Sequence, residues 1–181
     1  MAAWGAFSVF VLVAVLHLLV AEVTAFDQRV ISFVFGSADP GPFGSQVLAT
    51  IARDVTSLGS PALLLLLAIF GIAWSFAHAD RRGAILVAVV GIGATILSYG
   101  FKILFGRERP GVAVAFVVET SPSFPSGHSL LTAALLPAVA IILVRRGLPS
   151  KHSGAVVLFA IVMALLVALT RILLGAHFPT D

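Results

Sequence analysis

The chain has 181 residues, of which 60% are hydrophobic and only 10% are charged, and its mean hydropathy is +1.12. A soluble core of this size cannot bury so much apolar surface, so the composition predicts an all-α integral membrane protein, a bundle of transmembrane helices. The absence of cysteine excludes disulfides and thiolate metal sites. The formal charge of +3 reflects few acids, and the Lys and Arg residues lack the basic runs typical of nucleic-acid binding.

The first apolar stretch, Ala2–Val23, is long enough to cross the hydrocarbon layer as a helix. A cleaved signal peptide is the alternative, but the stretch is longer than the usual apolar region of a signal and no basic residue precedes it, which favours a retained helix. His17 and Glu22 lie within it, and we favour a structural role for both over a functional one. A polar connection is predicted over Asp27–Gly59, with an interfacial helix at Gln46–Leu58.

Later apolar stretches predict four more spans, which makes five in a single domain covering residues 1–181. They are Pro61–Phe76, Gly83–Phe105, Pro125–Val144 with a kink at Pro137, and Gly154–Leu174 with Gly175 at its end. Short loops rich in Lys and Arg follow the second and fourth spans, and the positive-inside rule places both in the cytoplasm. The N-terminus is then cytoplasmic as well, and the ends of spans three and five meet the start of span four on the outer face.

The stretch Ser121–Ser129, which leads into span four, concentrates turn formers, hydroxyls and a histidine. Pro125 suits the first position of a helix, where its missing N–H would have no partner. We therefore expect the backbone N–H groups of Ser126, Gly127 and His128 to point outward as an anion site. Gly127 permits close approach of a ligand, and His128 can exchange a proton near neutral pH. A helix cap with an incidental histidine is the alternative for this stretch alone.

Cations cluster at the outer end of span three, within Lys102–Pro110. Arg109 offers a planar fork and Lys102 a point charge, and together they could hold a dianionic group. Arg107 and Glu108 could pair with each other, and we expect a structural role for both. A charge cluster at a helix end usually marks only the membrane boundary. The density of cations facing the start of span four favours a binding site here.

The outer end of span five carries a third cluster, Thr170–Asp181. Arg171 lies one turn before the end of the span, where a lone arginine is costly unless it meets an anion. His177 and Asp181 are four residues apart, and Pro179 allows a new helix to begin between them. On one helical turn the carboxylate would bind one imidazole nitrogen, fix the tautomer and make the other nitrogen more nucleophilic. A histidine oriented in this way can attack phosphorus.

Together the three clusters resemble the signature of the type 2 phosphatidic acid phosphatase (PAP2) superfamily of membrane lipid phosphatases. The matching positions are Lys102, Arg109, Pro110, Pro125, Ser126, Gly127, His128, Arg171, His177 and Asp181. The resemblance implies hydrolysis of lipid phosphates without metal or cofactor, with His177 as the nucleophile that forms a phosphohistidine. It also implies that Asp181 orients His177 and that His128 protonates the leaving oxygen. The phosphate ligands that it implies are Lys102, Arg109, Ser126, Gly127 and Arg171.

Two features depart from the family pattern. Thr170 stands where the family often has serine, which keeps the hydroxyl. The family continues into a sixth helix after the position of Asp181, so we expect the natural protein to extend further. We expect weaker activity from a chain that ends here.

The loop Gly111–Ser123 is apolar for an aqueous loop and includes Phe116 and Val117. It predicts an interfacial segment that gates lateral entry of lipid, and a reentrant or poorly ordered hairpin is the alternative. The small size favours a bacterial-type phosphatase of the plasma membrane that acts on a polyprenyl pyrophosphate such as undecaprenyl pyrophosphate. Phosphatidic acid, phosphatidylglycerol phosphate and sphingoid phosphates are alternative substrates. Phosphotransfer to another lipid, or non-enzymatic binding or transport of anionic lipid, are the rival functions.

Overall fold

The computed structural model describes residues 11–13, 21–36, 46–111, 119–146 and 150–181. The described part is helical and has no strand, which confirms the predicted all-α class. Its long helices are α1 (Ala21–Phe35), α2 (Gln46–Ser57), α3 (Pro61–Ala77), α4 (Arg81–Phe105), α5 (Gly127–Arg146) and α6 (Ser150–Leu173). Most of the predicted first span, including His17, lies outside the described residues, as do residues 112–118 of the predicted gating loop.

Four helical stretches in the described residues are long and apolar enough to cross a membrane, which makes this an integral membrane protein. They are Gln46–Ala77, Arg81–Phe105, Gly127–Arg145 and His152–Leu173. Spans two to five of the prediction coincide with them, although the first of the four also takes in the helix predicted at Gln46–Leu58. Large apolar side chains project outward along these helices, as expected for helices that face lipid.

Local sequence explains where α3 and α4 begin and where α4 ends. Ser60 caps α3, with its Oγ accepting from the N–H of Leu63 at 3.3 Å, and Asp80 caps α4 by accepting from Gly83 at 3.0 Å. Gly106 ends α4 with a φ of 54°, a left-handed conformation that glycine adopts without steric cost. The charged segment that follows is thereby turned away from the helix axis.

The predicted start of α5 at Pro125 is wrong, because the helix begins at Gly127. Ser126 is the residue that caps it: its carbonyl accepts from Leu130 at 2.9 Å, and its Oγ accepts from the N–H of Ser129 at 3.4 Å. Pro125 stands before the cap, joined to Phe124 by a cis peptide bond. The helix then continues through Pro137.

The boundary predicted after the first span is also wrong. Helix α1 runs on to Phe35, so about the first quarter of the predicted polar connection is helical. The face of α1 that carries Ile31, Val34 and Phe35 packs against Phe178 near the end of the chain. This spacing of three and four residues is that of one helix face, and burial of that face explains why the helix extends past its polar residues.

The core of the bundle lies between α3, α4 and α5, where Leu64, Val87, Leu135, Val139 and Ile142 form a buried cluster. Helix α6 packs against α5 on one side and α2 on another. This packing brings the ends of α4 and α6 to the start of α5, where the N–H of Ser126 donates to the carbonyl of Asp181 at 2.9 Å. The three polar clusters therefore lie at one end of the bundle, as predicted.

Candidate active site

His177 and Asp181 lie in the turn that follows α6. Gly175 adopts a φ of 67°, and the N–H groups of Ala176 and His177 then both donate to the carbonyl of Arg171, at 3.0 and 3.2 Å. The chain folds back over the helix end, and His177 Nδ1 comes to 3.2 Å from Asp181 Oδ2. A carboxylate only accepts hydrogen bonds, so Nδ1 carries the proton and the lone pair of the imidazole is on Nε2.

Four hydrogen-bond donors fix the position of the Asp181 carboxylate. Its Oδ2 accepts from the N–H of Phe178 at 2.8 Å, from the hydroxyl of Ser123 and from His177, and its Oδ1 accepts from Arg107. Burial by itself raises the pKa of Asp181, but the hydrogen bond from His177 and the charge of Arg107 outweigh it and hold that pKa below its ordinary value. The carboxylate is therefore ionised at neutral pH, which the orienting role requires.

His177 is almost fully buried, and its Nε2 lies 3.1 Å from Nη1 of Arg109. Burial lowers the pKa of His177, and the neighbouring Arg109 lowers it further, against the opposing hydrogen bond to Asp181. The side chain is therefore a neutral imidazole bonded to a carboxylate, and not an ion pair, near pH 7. A neutral imidazole with its lone pair facing a guanidinium has the form needed to attack an anion held by that guanidinium.

A carboxylate that was not anticipated occupies the space between the two arginines. Glu119 Oε2 accepts from Arg109 Nη2 at 2.8 Å, and its Oε1 accepts from Arg171 Nη2. Burial raises the pKa of Glu119, but the charges of Arg171 and Arg109 outweigh that and leave the pKa below its ordinary value. The two guanidiniums thus form a site that binds two oxygens of one anionic group.

Arg171 has a buried donor with no acceptor among the described residues. Its side chain is 2% exposed, its Nη1 donates to Thr56 Oγ1 at 3.4 Å, and its Nε is buried with no hydrogen-bond acceptor among the described residues. A buried guanidinium nitrogen without an acceptor is costly. An oxygen of a tetrahedral phosphate is a suitable partner for it, and a planar carboxylate supplies too few oxygens to satisfy every donor.

His128, Gly127 and Lys102, together with Glu119, line a cavity of about 790 Å³. Lys102 Nζ donates to the carbonyl of Pro122, which holds the ammonium over the segment before α5. His128 is half-buried in the first turn of α5. The cavity therefore connects His128, which is predicted to protonate the leaving oxygen, with the apolar faces of the helices.

Two sequence expectations need correction at this site. The N–H of Ser126 does not point outward to an anion, because it donates to the carbonyl of Asp181. Arg107 does not pair with Glu108, because its guanidinium binds Asp27 and Asp181. The hydroxyl of Ser126 lies 2.9 Å from Ser129 Oγ, so its role as a phosphate ligand stays a prediction.

Sequence reasoning missed Glu119, Ser123 and Asp27. Glu119 and Ser123 lie shortly before Pro125 in the chain, and the only signal that could have identified them is that they are polar. Asp27 lies 153 residues from Thr180, which it contacts, so no spacing rule could connect the two. Within the described ranges, no group of three or more His, Asp or Glu side chains is placed to hold a metal ion.

Comparison with known proteins agrees with this geometry. Residues 83–181 match the model of the PAP2 superfamily. The chain is 38% identical over 137 residues to phosphatidylglycerophosphatase B of Bacillus subtilis, a match that covers 74% of this chain and 66% of that protein. It is 32% identical over 145 residues to undecaprenyl-diphosphatase BcrC of the same organism, covering 76% of this chain and 67% of the relative.

A solved structure supports the same assignment. The chain is similar to the crystal structure of a transmembrane PAP2-type phosphatidylglycerolphosphate phosphatase from Bacillus subtilis, with a TM-score of 0.82 and 30% identity, over 97% of this chain and 84% of that one. In sequence, the chain spans about two thirds of the length of the curated relatives it matches. The family match covers more than half of the chain and includes all three polar clusters. The chain therefore belongs to the PAP2 superfamily.

Proposed function

We propose that this protein is a metal-independent phosphatase that hydrolyses the phosphate or pyrophosphate headgroup of a membrane lipid. The observation that carries the proposal is the His177–Asp181 pair, whose Nε2 side faces a pair of arginines that already bind an anionic group. Membership of the PAP2 superfamily and the phosphatase names of the relatives support the same reaction class.

In the first step, Nε2 of His177 attacks phosphorus while the bond from phosphorus to the leaving oxygen breaks. His128, which lines the cavity together with Glu119, donates a proton to that oxygen. Arg109 and Arg171 hold the equatorial oxygens, and Lys102 adds a third positive charge where negative charge develops. Asp181 stabilises the positive charge that His177 gains as its nitrogen becomes bonded to phosphorus.

In the second step, water attacks the phosphohistidine. His128, left neutral by the first step, accepts a proton from that water, and the bond between phosphorus and Nε2 breaks. Phosphate is released, and His177 and His128 return to their starting protonation states. The same two residues therefore serve both steps, as microscopic reversibility requires.

The cavity supports a lipid substrate. Its walls are mostly aliphatic and come from α3, α4 and α5, including Leu64, Ile69, Val87, Ile96 and Leu131. Several wall residues are also strongly exposed, among them Ile96, Tyr99 and Ile103, so the cavity opens sideways toward the position of lipid. An acyl or prenyl chain could lie along this wall while its headgroup reaches the arginine pair.

Two headgroups are the leading candidates for the substrate. Phosphatidylglycerol phosphate corresponds to the more similar of the two named relatives, and undecaprenyl pyrophosphate corresponds to the other. Both place a terminal phosphoryl group on an apolar anchor, and the geometry of the site suits both.

The direct test is release of inorganic phosphate by the full-length protein in detergent with EDTA present. Phosphatidylglycerol phosphate, undecaprenyl pyrophosphate and phosphatidic acid are compared in parallel, each with the His177→Ala variant. We expect release that resists EDTA and disappears in the variant, and the ratio among lipids identifies the substrate. Release that depends on a metal, or that survives in His177→Ala, would contradict the proposal. Transfer of phosphate to an added acceptor lipid without release would indicate the phosphotransferase alternative.

We also propose that the site lies on the extracytoplasmic face, with the N-terminus in the cytoplasm. The polar end of the bundle is opposite the end at which α3 leads into α4 and α5 finishes, where Arg81, Arg82 and Arg145 lie. Because the chain has no cysteine, single cysteines report the orientation directly. In intact cells, Glu108→Cys should react with a membrane-impermeant maleimide and Arg82→Cys should react only after lysis. The reverse pattern would place the site in the cytoplasm.

A further inference from the structure

Asp27 is a carboxylate buried completely on α1, outside all three clusters that the sequence singles out. It has three donors, all from other parts of the chain: the N–H of Thr180 at 3.2 Å, the hydroxyl of Thr180 at 2.5 Å, and Nη2 of Arg107 at 2.5 Å. A buried carboxylate is costly unless it is fully paired. The pairing here links α1 to the segment after α4 and to the last turn of the chain.

Arg107 connects Asp27 to the candidate nucleophile. Nη2 binds Asp27, and Nη1 binds both Asp181 Oδ1 and Thr180 Oγ1, the latter at 3.1 Å. The guanidinium carbon also lies 4.3 Å from the centroid of the Phe178 ring, which limits its movement in the remaining direction. One planar fork is thus held between two buried carboxylates, and the second of them is the partner of His177.

The apolar face of α1 fixes the position of this link. Ile31, Val34 and Phe35 follow Asp27 on the same face and pack against Phe178, which lies in the turn that ends with Asp181. Helix α1 therefore contacts the turn through a buried apolar cluster and through a buried charge network at once. The position of Asp27 relative to His177 is set by packing, not by a flexible side chain.

We propose that Asp27 is a positioning residue for the reaction: through Arg107 and Thr180 it holds Asp181 in the orientation in which Oδ2 accepts from His177 Nδ1. The inference rests on the proposed function, since it assigns Asp27 to the same nucleophile. In Asp27→Asn an NH2 group takes the place of Oδ2, so Arg107 Nη2 and the Thr180 hydroxyl lose their acceptor, while the N–H of Thr180 keeps the remaining oxygen. Arg107 then has a single carboxylate partner, and the turn holds the Asp181 carboxylate less firmly.

The kinetic test uses Asp27→Asn, which keeps the size of the side chain and removes its charge. We expect kcat to fall on the order of 10-fold, as for other residues that orient a functional histidine from behind, with KM for the lipid nearly unchanged. The matched control is Glu108→Gln, which removes an exposed acid next to Arg107 and should leave both constants unchanged. A rise in KM alone, or an equal loss in the control, would overturn the proposal.

A double-mutant cycle tests the route through Arg107. If Asp27 acts largely through Arg107, the fold-loss in kcat caused by Asp27→Asn should be smaller in an Arg107→Gln background than in the wild type. Independent, multiplying losses would contradict this route. Thr180→Val, which keeps the shape of the side chain and removes the hydroxyl that donates to Asp27, should also lower kcat more than it changes KM. It tests the same link if Asp27→Asn fails to fold, and unchanged kcat in Thr180→Val would contradict the proposal.

A spectroscopic readout separates this proposal from the proposed function. The ¹⁵N chemical shifts of the His177 ring in the full-length protein report which nitrogen is protonated, with no need for turnover. We expect a single tautomer protonated at Nδ1 in the wild type and a mixture in Asp27→Asn. A protein that shows this change but releases no phosphate would uphold the positioning role and refute the phosphatase. An active protein with the same tautomer in both forms would refute the positioning role and uphold the phosphatase.

Discussion

The two histidines of the site are held in different ways. His177 is 2% exposed, with Asp181 at one ring nitrogen, Arg109 at the other, and Arg107 and Asp27 behind the carboxylate. His128 is half-buried in the wall of the apolar cavity, and no side-chain hydrogen bond to it is found within the described ranges. This difference in how firmly the two histidines are held suits their different roles in the proposed reaction. The bond to phosphorus forms at one fixed point, whereas the leaving oxygen moves with the lipid that carries it.

The largest effect is expected when His177, the tightly held histidine, is replaced. His177→Ala should lower kcat by about 10⁴-fold or more, because His177 is the residue that forms the phosphoryl intermediate in the proposed reaction. Rapid quench into alkaline detergent, which preserves the acid-labile bond between phosphorus and histidine, should trap a labelled phosphoprotein in the wild type and none in this variant. A labelled phosphoprotein in His177→Ala would mean that the nucleophile is another residue, and the comparison between the histidines would have to be reversed.

A smaller effect is expected when His128, which has fewer contacts, is replaced. His128→Ala should slow hydrolysis of a lipid phosphate roughly 10²-fold, the usual contribution of a general acid. With p-nitrophenyl phosphate, whose leaving group needs no proton, the first step should be much less affected. Measuring the burst of p-nitrophenol isolates that step. An equal loss in the burst rate for both substrates would show that His128 acts on binding or orientation instead.

Glu119 offers a further test of the His177 half of the site, because its carboxylate binds both Arg109 and Arg171. In Glu119→Gln the carboxylate no longer competes for Arg109 and Arg171, so orthovanadate and inorganic phosphate should inhibit at concentrations on the order of 10-fold lower. The measurement is the inhibition constant at pH 7, with Glu108→Gln as the control of equal charge change. Weaker inhibition in Glu119→Gln would mean that Glu119 orients the arginines for phosphate.

The smallest expected effect is a shift in pH dependence. Activity requires neutral His177, and the pKa of His177 lies below its ordinary 6.5, so the acid limb of kcat/KM should lie below pH 6.5. Activity is present above that folded pKa and is lost as the pH falls through it. Since Arg109 contributes to lowering the pKa, Arg109→Gln should move the limb to higher pH as well as reduce kcat/KM. If the acid limb of the kcat/KM profile does not move in Arg109→Gln, it reports the titration of a group other than His177.

The sequence alone predicted the parts of the site that lie in compact motifs. His177 and Asp181 were expected to meet because four residues separate them, and they do so in the structure, although in a turn after α6. The meeting of the three clusters followed from the order and the orientation of the apolar spans. These inferences depend on local periodicity and topology, which a single sequence carries well.

The missing parts depend on contacts between distant segments. Asp27 was expected to begin the polar connection after the first span, yet it is fully buried. Its partners Arg107 and Thr180 are 80 and 153 residues away, and only the packing of α1 brings them together. Pro125 failed as a helix start for a related reason. The residue at which the helix begins depends on what the backbone contacts outside the helix, and here the N–H of Ser126 donates to the carbonyl of Asp181.

The bridge that Glu119 forms between Arg109 and Arg171 also bears on how the protein assembles in the bilayer. Two guanidiniums this close in a medium of low dielectric repel each other, and no lipid phosphate is bound while the chain is being inserted. The chain supplies its own counterion, so the cationic site can fold before any ligand arrives. In the proposed reaction a lipid phosphate would take the place of Glu119 at the two arginines, so one anion would replace another there.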